Sequence, residues 1–309
     1  RNLIDSDYFD RVDVIPRTQQ AEQLAIPVVV DLTMRPRTRY TAGVGYATDT
    51  GPRVTLGLER RWANSRGHRY GVYAMLSEVQ NTVSARYHIP LKRPMTDSVG
   101  FLAQREQKET GDTKRETDTL GASATHQIGK WRRIIGLNYE TERFEVGADP
   151  QQESTMLYPH IGFHRIRARD RIFPTRGWRI ARDLKLASKD IGSSTSLAQI
   201  ALRGKDIRPL LGGRLLTRVD LGFSEVSDFD ELPVSLRFFA GGDQSVRGFA
   251  YESLGPTDDA GNVIGGKYLV VGSVEYDRYF TERTGAAVFV DTGNALNSLE
   301  EFSLERGMG

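Results

Sequence analysis

The stretch Arg39-Tyr-Thr-Ala-Gly-Val-Gly-Tyr46 alternates without a slip. Tyr40, Ala42, Val44 and Tyr46 share one face, while Arg39, Thr41, Gly43 and Gly45 share the other. A period of two is the signature of a strand with one apolar and one polar side. The device recurs down the chain. Val54, Leu56 and Leu58 alternate with Thr55, Gly57 and Glu59; Val83, Ala85, Tyr87 and Ile89 oppose Ser84, Arg86 and His88. Followed to residue 292, the pattern predicts about 13 strands of roughly 10 residues each, beyond the ~5–6 typical of soluble sheets and close to the ~9–11 of tilted strands that cross a bilayer. Aromatic residues recur at strand ends, among them Tyr40, Tyr46, Trp62, Tyr70, Trp131 and Trp178, as interfacial girdles would place them. The expectation is an all-β fold, a transmembrane antiparallel barrel with its apolar face in lipid and its charged face in a wet lumen. A soluble sandwich or lipocalin-like protein accounts less well for the strand length.

Composition agrees. The 309 residues include 31 glycines and no cysteine, and the net charge is +2. No apolar run reaches the ~18 residues of a spanning helix, but a barrel needs none, because its alternating faces keep the average polar. Lack of cysteine excludes disulfides and thiolate metal sites. Near-neutral charge, with arginines spread along the chain, argues against nucleic acid as a partner.

Residues 1–35 read differently. Leu3-Ile4 and Tyr8-Phe9 lie at helical spacing, residues 11–16 alternate like a strand, and residues 26–34 follow as a second strand after a polar turn. That is the tail of a small α/β unit, with Arg35-Pro-Arg37 as the hinge into a barrel over 36–309. If the α/β unit is periplasmic, alternate connections fall on the outer side, and the long one (226–266) is among them. An odd strand number and the absence of a recognisable strand after 292 lead to the expectation of a chain truncated at both ends.

That long connection is far beyond the usual loop length and is not composed like disorder. It holds Phe238, Phe239, Phe249 and Tyr251, glycines at 241, 242 and 248, and Arg247 within Phe239-Ala-Gly-Gly-Asp-Gln-Ser-Val-Arg-Gly-Phe249. An arginine taken out of water needs a carboxylate. Alternation in the two segments that follow turns Glu275 and Asp291 inward on neighbouring strands, which makes them candidate receptors for Arg247; the alternative is that both simply solvate the lumen.

Val246-Arg-Gly-Phe249, preceded by Phe239-Ala-Gly-Gly242 and followed by Gly255-Pro256, resembles the sixth-loop motif of the Omp85 superfamily. Phe289-Val-Asp-Thr-Gly-Asn-Ala295 is similar to that family's later strand motif, and Phe173-Pro-Thr-Arg-Gly-Trp178 to its motif at the start of a strand. Within the superfamily the wording looks most like the TamA branch, with the BamA branch second. The resemblance implies a 16-stranded barrel in the bacterial outer membrane, preceded by periplasmic POTRA domains of which residues 1–35 are the end. It implies that Val246, Arg247, Gly248 and Phe249 form a loop motif whose arginine pairs with Glu275 and Asp291, and that the first and last strands meet at a weak seam. It further implies insertion or secretion of β-barrel proteins such as autotransporters, a TamB-like partner anchored in the inner membrane, contact with outer-membrane lipid, and no cofactor.

The mechanism that follows is physical rather than chemical. An edge strand with unpaired N–H and C=O groups is intolerable in lipid and recruits an incoming strand. The candidate seam strand carries Tyr40, Gly43, Val44, Gly45 and Tyr46, with glycines that would weaken pairing. An enzyme is not expected: Gly-x-Ser-x-Gly, Walker and HExxH patterns are absent from the sequence. His160 and His164 share a strand face but stand roughly 13 Å apart, too far to share a metal. The rival readings are a two-partner-secretion transporter, which would carry the same loop motif, and a passive pore.

Overall fold

Alternation along the chain becomes a run of antiparallel strands. The computed structural model describes residues 8–20, 25–48, 50–111, 113–168, 170, 173–300 and 303–309. In order the strands are β1 (Phe9–Pro16), β2 (Val28–Met34), β3 (Thr38–Ala47), β4 (Gly51–Arg60), β5 (Arg69–Ser77), β6 (Gln80–Pro90), β7 (Ser98–Thr110) and β8 (Thr113–Ile128). There follow β9 (Trp131–Val146), β10 (Gln152–Ala168), β11 (Gly177–Ala187), β12 (Leu197–Leu210), β13 (Gly213–Val226), β14 (Tyr268–Tyr279), β15 (Gly285–Leu296) and β16 (Glu305–Met308). β1 and β2 pair in a two-stranded sheet, and β3 to β16 form one 14-stranded sheet in sequence order. There is no α-helix among the described residues.

β3 to β15 coincide with the segments that the alternation marks, and two expectations change. Phe9, grouped with Tyr8 at helical spacing, opens β1 opposite Met34; Leu3 and Ile4, residues 21–24 of the polar turn and Asp49 lie outside the described residues. A strand does follow residue 292: β15 runs on to Leu296, and β16 pairs with it through Asp291↔Gly307 and Val290↔Met308. Glu305-Arg-Gly-Met308 is too short and too charged for a period of two to show.

The sheet is inside out relative to a soluble protein. Val44 (89% exposed), Leu56, Val83, Leu137, Val219 and Val288 all stand on the outer surface. An apolar surface of this extent belongs in hydrocarbon rather than in water. Buried apolar side chains gather instead inside the lumen, between the wall and the long connection, residues 227–267. Leu232 and Leu236 of this loop pack with Met156, Tyr158 and Leu197; Val234 packs with Phe144 and Val146; Ala240 and Val246 pack with Val271.

Strand parity places the two kinds of connection at opposite ends. The β1–β2 sheet docks at one end, where the Tyr8 ring meets Trp62 in the β4–β5 connection edge-on at 5.7 Å. The long loop leaves β13 at the other end and folds back into the lumen.

Candidate functional site: the lumen loop and the first-strand edge

Arg247 is held on every side. Its Nε donates to Asp291 Oδ2 at 2.6 Å and its Nη2 to Asp291 Oδ1 at 2.9 Å, a two-pronged pair. Nη1 donates to Glu275, and Nη2 also reaches Ser273 Oγ at 3.3 Å. The Arg247 backbone N–H donates to Asp291 Oδ2 at 3.1 Å. The flat face of the guanidinium lies 3.5 Å above the Phe289 ring centre, a stacked cation–π arrangement. Asp291 is fully buried, while Arg247 and Glu275 keep 23% of their side-chain exposure. The Asp291 hydrogen bonds raise the proton affinity of the guanidinium above its already high ordinary value, outweighing the opposing effect of burial.

Strand geometry delivers this. Ser273 pairs with Asp291, and Glu275 with Phe289, so four inward side chains from β14 and β15 form a two-by-two patch. Gly248 takes φ +91, a left-handed turn that glycine accepts freely, and Phe249 then packs against the Ala240–Val246–Val271 cluster. The next strand completes the cradle. A Cβ on Gly307 would lie 1.9 Å from the Arg247 carbonyl oxygen, so β16 approaches the motif only because residue 307 has no side chain.

The loop is tied to the wall well beyond its motif. Lys108 on β7 donates to Glu252 Oε1 at 2.7 Å and to Tyr251 Oη at 3.0 Å; burial is the chief cause that pushes the Tyr251 phenol up to about 12. Glu142 on β9, fully buried, accepts from Thr117 Oγ1 at 2.8 Å and from the Ser235 N–H at 3.2 Å. Glu140 accepts from Ser235 Oγ at 2.6 Å. Arg218 on β13 donates to the carbonyls of Gln244 and Ser245. Within the loop, Arg237 donates to the carbonyls of Leu232 (2.9 Å), Ile264 (3.1 Å) and Asp230 (3.2 Å). Burial pushes its guanidinium down to about 10, which leaves it charged at neutral pH.

Of the residues singled out in the sequence, Arg247, Glu275 and Asp291 come together, with Val246 fully buried beside them. Tyr40, Gly43, Val44, Gly45 and Tyr46 do not join them; they lie on β3, whose ladder partner is β4 alone among the described residues. The two regions are linked where Thr48 Oγ1, just past β3, donates to Asp243 Oδ2 of the loop at 3.3 Å. Sequence reasoning missed the contributions of Phe289, Arg237, Lys108, Glu142 and Gly307. Phe289 was findable, since it is inward two residues before Asp291. Gly307 was not, because its role exists only through the β15–β16 register. His164 pairs with Asp183 at 3.0 Å, and no metal-holding cluster occurs among the described residues.

The family profile of the Omp85 superfamily domain matches residues 63–307. The chain belongs to the Omp85 superfamily. Among curated Omp85-type relatives, the outer membrane protein assembly factor BamA of Nitratidesulfovibrio vulgaris is 23% identical over 96% of this chain and 39% of its own length. A crystal structure of BamA from Haemophilus ducreyi lacking POTRA domains 1–3 superposes with a TM-score of 0.78 at 18% identity, covering 96% of this chain and 64% of that one. CdiB from Escherichia coli superposes with a TM-score of 0.63 at 13% identity, covering 98% and 61%. The chain therefore spans less than two thirds of each of these proteins. At such identities the structural likeness is one of fold, an all-β Omp85 barrel. Omp85 members are assembly and transport factors of the bacterial outer membrane, not enzymes.

Proposed function

We infer that this chain is the barrel part of a factor that inserts or secretes outer-membrane β-barrel proteins, with β3 as a lateral seam that captures an incoming strand. One observation carries the reading: a Cβ on Gly43, on the lumen face of β3, would meet nothing within 4 Å, whereas the loop braces β14 and β15 through Arg247, so β3 is the weakly held edge of the sheet. Backbone groups on such an edge are unsatisfied in lipid, so a substrate strand that pairs with them gains hydrogen bonds available nowhere else in the bilayer. Gly43 and Gly45 on its lumen face soften the strand. In this reading residues 8–34 close a POTRA domain in the periplasm. The wording of the Val246–Phe249 region favours the TamA branch, with autotransporters as substrates and a TamB-like protein as partner.

The test places single cysteines along β3 of the full-length protein and looks for cross-links to the terminal strands of autotransporter barrels during their assembly. Cross-links at alternate positions are expected; none at any position removes the seam. A second reading has its own observation. Beside the braced wall the lumen keeps a cavity of about 470 Å3 lined by Glu59, Tyr73, Arg86, His88, Asn138 and His160. Cross-links formed at Tyr73 or His88 by an extended cargo, rather than on β3, would favour secretion through the lumen.

A further inference from the structure

At the end of the barrel that carries the β1–β2 sheet, the outward faces of β9, β10 and β11 bear charge where an apolar face is due. Cross-strand register sets Arg133, Phe163 and Arg182 side by side in one row, roughly 10 Å from first to last at ~4.8 Å per strand. Arg165 stands two residues beyond Phe163 on the same face. Its guanidinium carbon lies 5.6 Å from the ring centre of Trp131 and 4.9 Å from that of Trp178, and the Arg182 guanidinium lies 5.2 Å from Trp131. The neighbouring row toward mid-barrel, Ile135, Ile161 and Leu184, is apolar. The arginines thus stand at the lower border of the apolar band, the depth of lipid headgroups and aromatic belts.

Among the described residues these cations meet no acid. Outward positions over 131–139, 157–167 and 178–186 hold neither aspartate nor glutamate. The acids nearest in register are engaged elsewhere: Asp97 with His126 at 2.8 Å and Asp206 with Arg208 at 2.6 Å. Among the described residues, none of Arg133, Arg165 and Arg182 forms an ion pair with a carboxylate. Stacking on indole occupies the face of a guanidinium and leaves its edge N–H donors free. Such a fork matches two oxygens of a phosphate, and three like charges within one patch repel until an anion sits among them.

We propose that this patch binds the phosphate of an anionic phospholipid in the leaflet on the β1–β2 side. The row of Ile135, Ile161 and Leu184 then receives the acyl chains, which a soluble phosphate lacks. The proposal rests on the outer surface of the sheet facing lipid, and not on β3 acting as a seam.

The experiment uses the full-length protein in nanodiscs of phosphatidylcholine with a minor share of phosphatidylglycerol, read by native mass spectrometry. Arg165→Gln with Arg182→Gln should lower phosphatidylglycerol retention over phosphatidylcholine by roughly thirtyfold, the loss expected of two surface charges. Arg179→Gln with Lys205→Gln, which removes two charges from the lumen face at the same end, should leave it unchanged. Equal effects in the two variants, or none in the first, overturn the proposal. The unmutated cluster gives a second readout in a background where every tryptophan other than Trp131 and Trp178, Trp62 included, is replaced by Phe. Brominated phosphatidylglycerol should quench their fluorescence more than brominated phosphatidylcholine does; equal quenching also overturns the proposal. Release of the lipid by inorganic phosphate at matched ionic strength would reassign the site to free phosphate. Failure on any of these counts leaves the β3 cross-linking result standing on its own.

Discussion

The first four barrel strands and the later ones are built on the same alternation, yet they do different work. β3 to β6 are 9 to 11 residues long, whereas β7 to β10 reach 13 to 17. The later wall, β7 to β15, carries the anchors of the loop: Lys108 and Glu142 on its long strands, Arg218, Glu275 and Asp291 on β13, β14 and β15. The shorter wall reaches the loop at its outer tip, through Thr48, and borders the lumen cavity. Inward glycines make the contrast concrete. A Cβ on Gly43 would meet nothing within 4 Å, while one on Gly222 would lie 2.5 Å from the Phe238 ring and one on Gly307 would strike the Arg247 carbonyl. Gly43 faces empty space, whereas Gly222 and Gly307 are seats for the loop.

The largest expected effect tests whether the long wall truly holds the loop. Asp291→Ala leaves Arg247 with Glu275 as its one remaining carboxylate and should cost about 3–5 kcal/mol, the usual penalty for stripping one partner from a buried pair. Protease cleavage within residues 227–267 of the folded barrel would report it. Arg247→Glu combined with Asp291→Arg should recover part of the protection that Arg247→Glu loses, and no recovery would break the pairing. Next comes Gly307→Ala, where the added methyl must push the loop or β16 aside at about 1–3 kcal/mol, read by the same cleavage assay. Glu142→Gln turns an amide toward the Ser235 N–H and should loosen the loop by about 1–3 kcal/mol. Smallest is Gly43→Ala on the bare wall, within ~0.5 kcal/mol and without effect on cleavage. If Gly43→Ala exposes the loop as much as Gly307→Ala does, the two walls are not different.

Much of this was legible in one dimension. The period of two marks β3 to β15 because a wall between lipid and water forces each position to declare its side. The same parity puts Glu275 and Asp291 on the inward face, and an arginine in a loop rich in glycine and aromatics asks for such acids. The rest was not legible, for reasons that differ from residue to residue. β16 is too short to show a period. Lys108 and Glu142 look like any lumen-facing charge, and their engagement depends on how deep the loop descends. Arg237 binds three carbonyls of its own loop, and no residue type signals a carbonyl acceptor.

The lumen-seated loop also dictates an order of events. Its contacts join residues far apart along the chain: 195 positions for Thr48–Asp243, 144 for Lys108–Glu252 and 93 for Glu142–Ser235. Each demands that a long segment be closed before any contact returns free energy. The Arg247 acceptors lie downstream, 44 residues on in the case of Asp291, and they form a patch only when β14 has paired with β15. The loop should therefore reach its place only after β14 has paired with β15. Because the loop gains its anchors after the hairpins, its seating is expected as a phase of its own in refolding, with strands in register before residues 227–267 resist protease; simultaneous appearance of the two would remove this order.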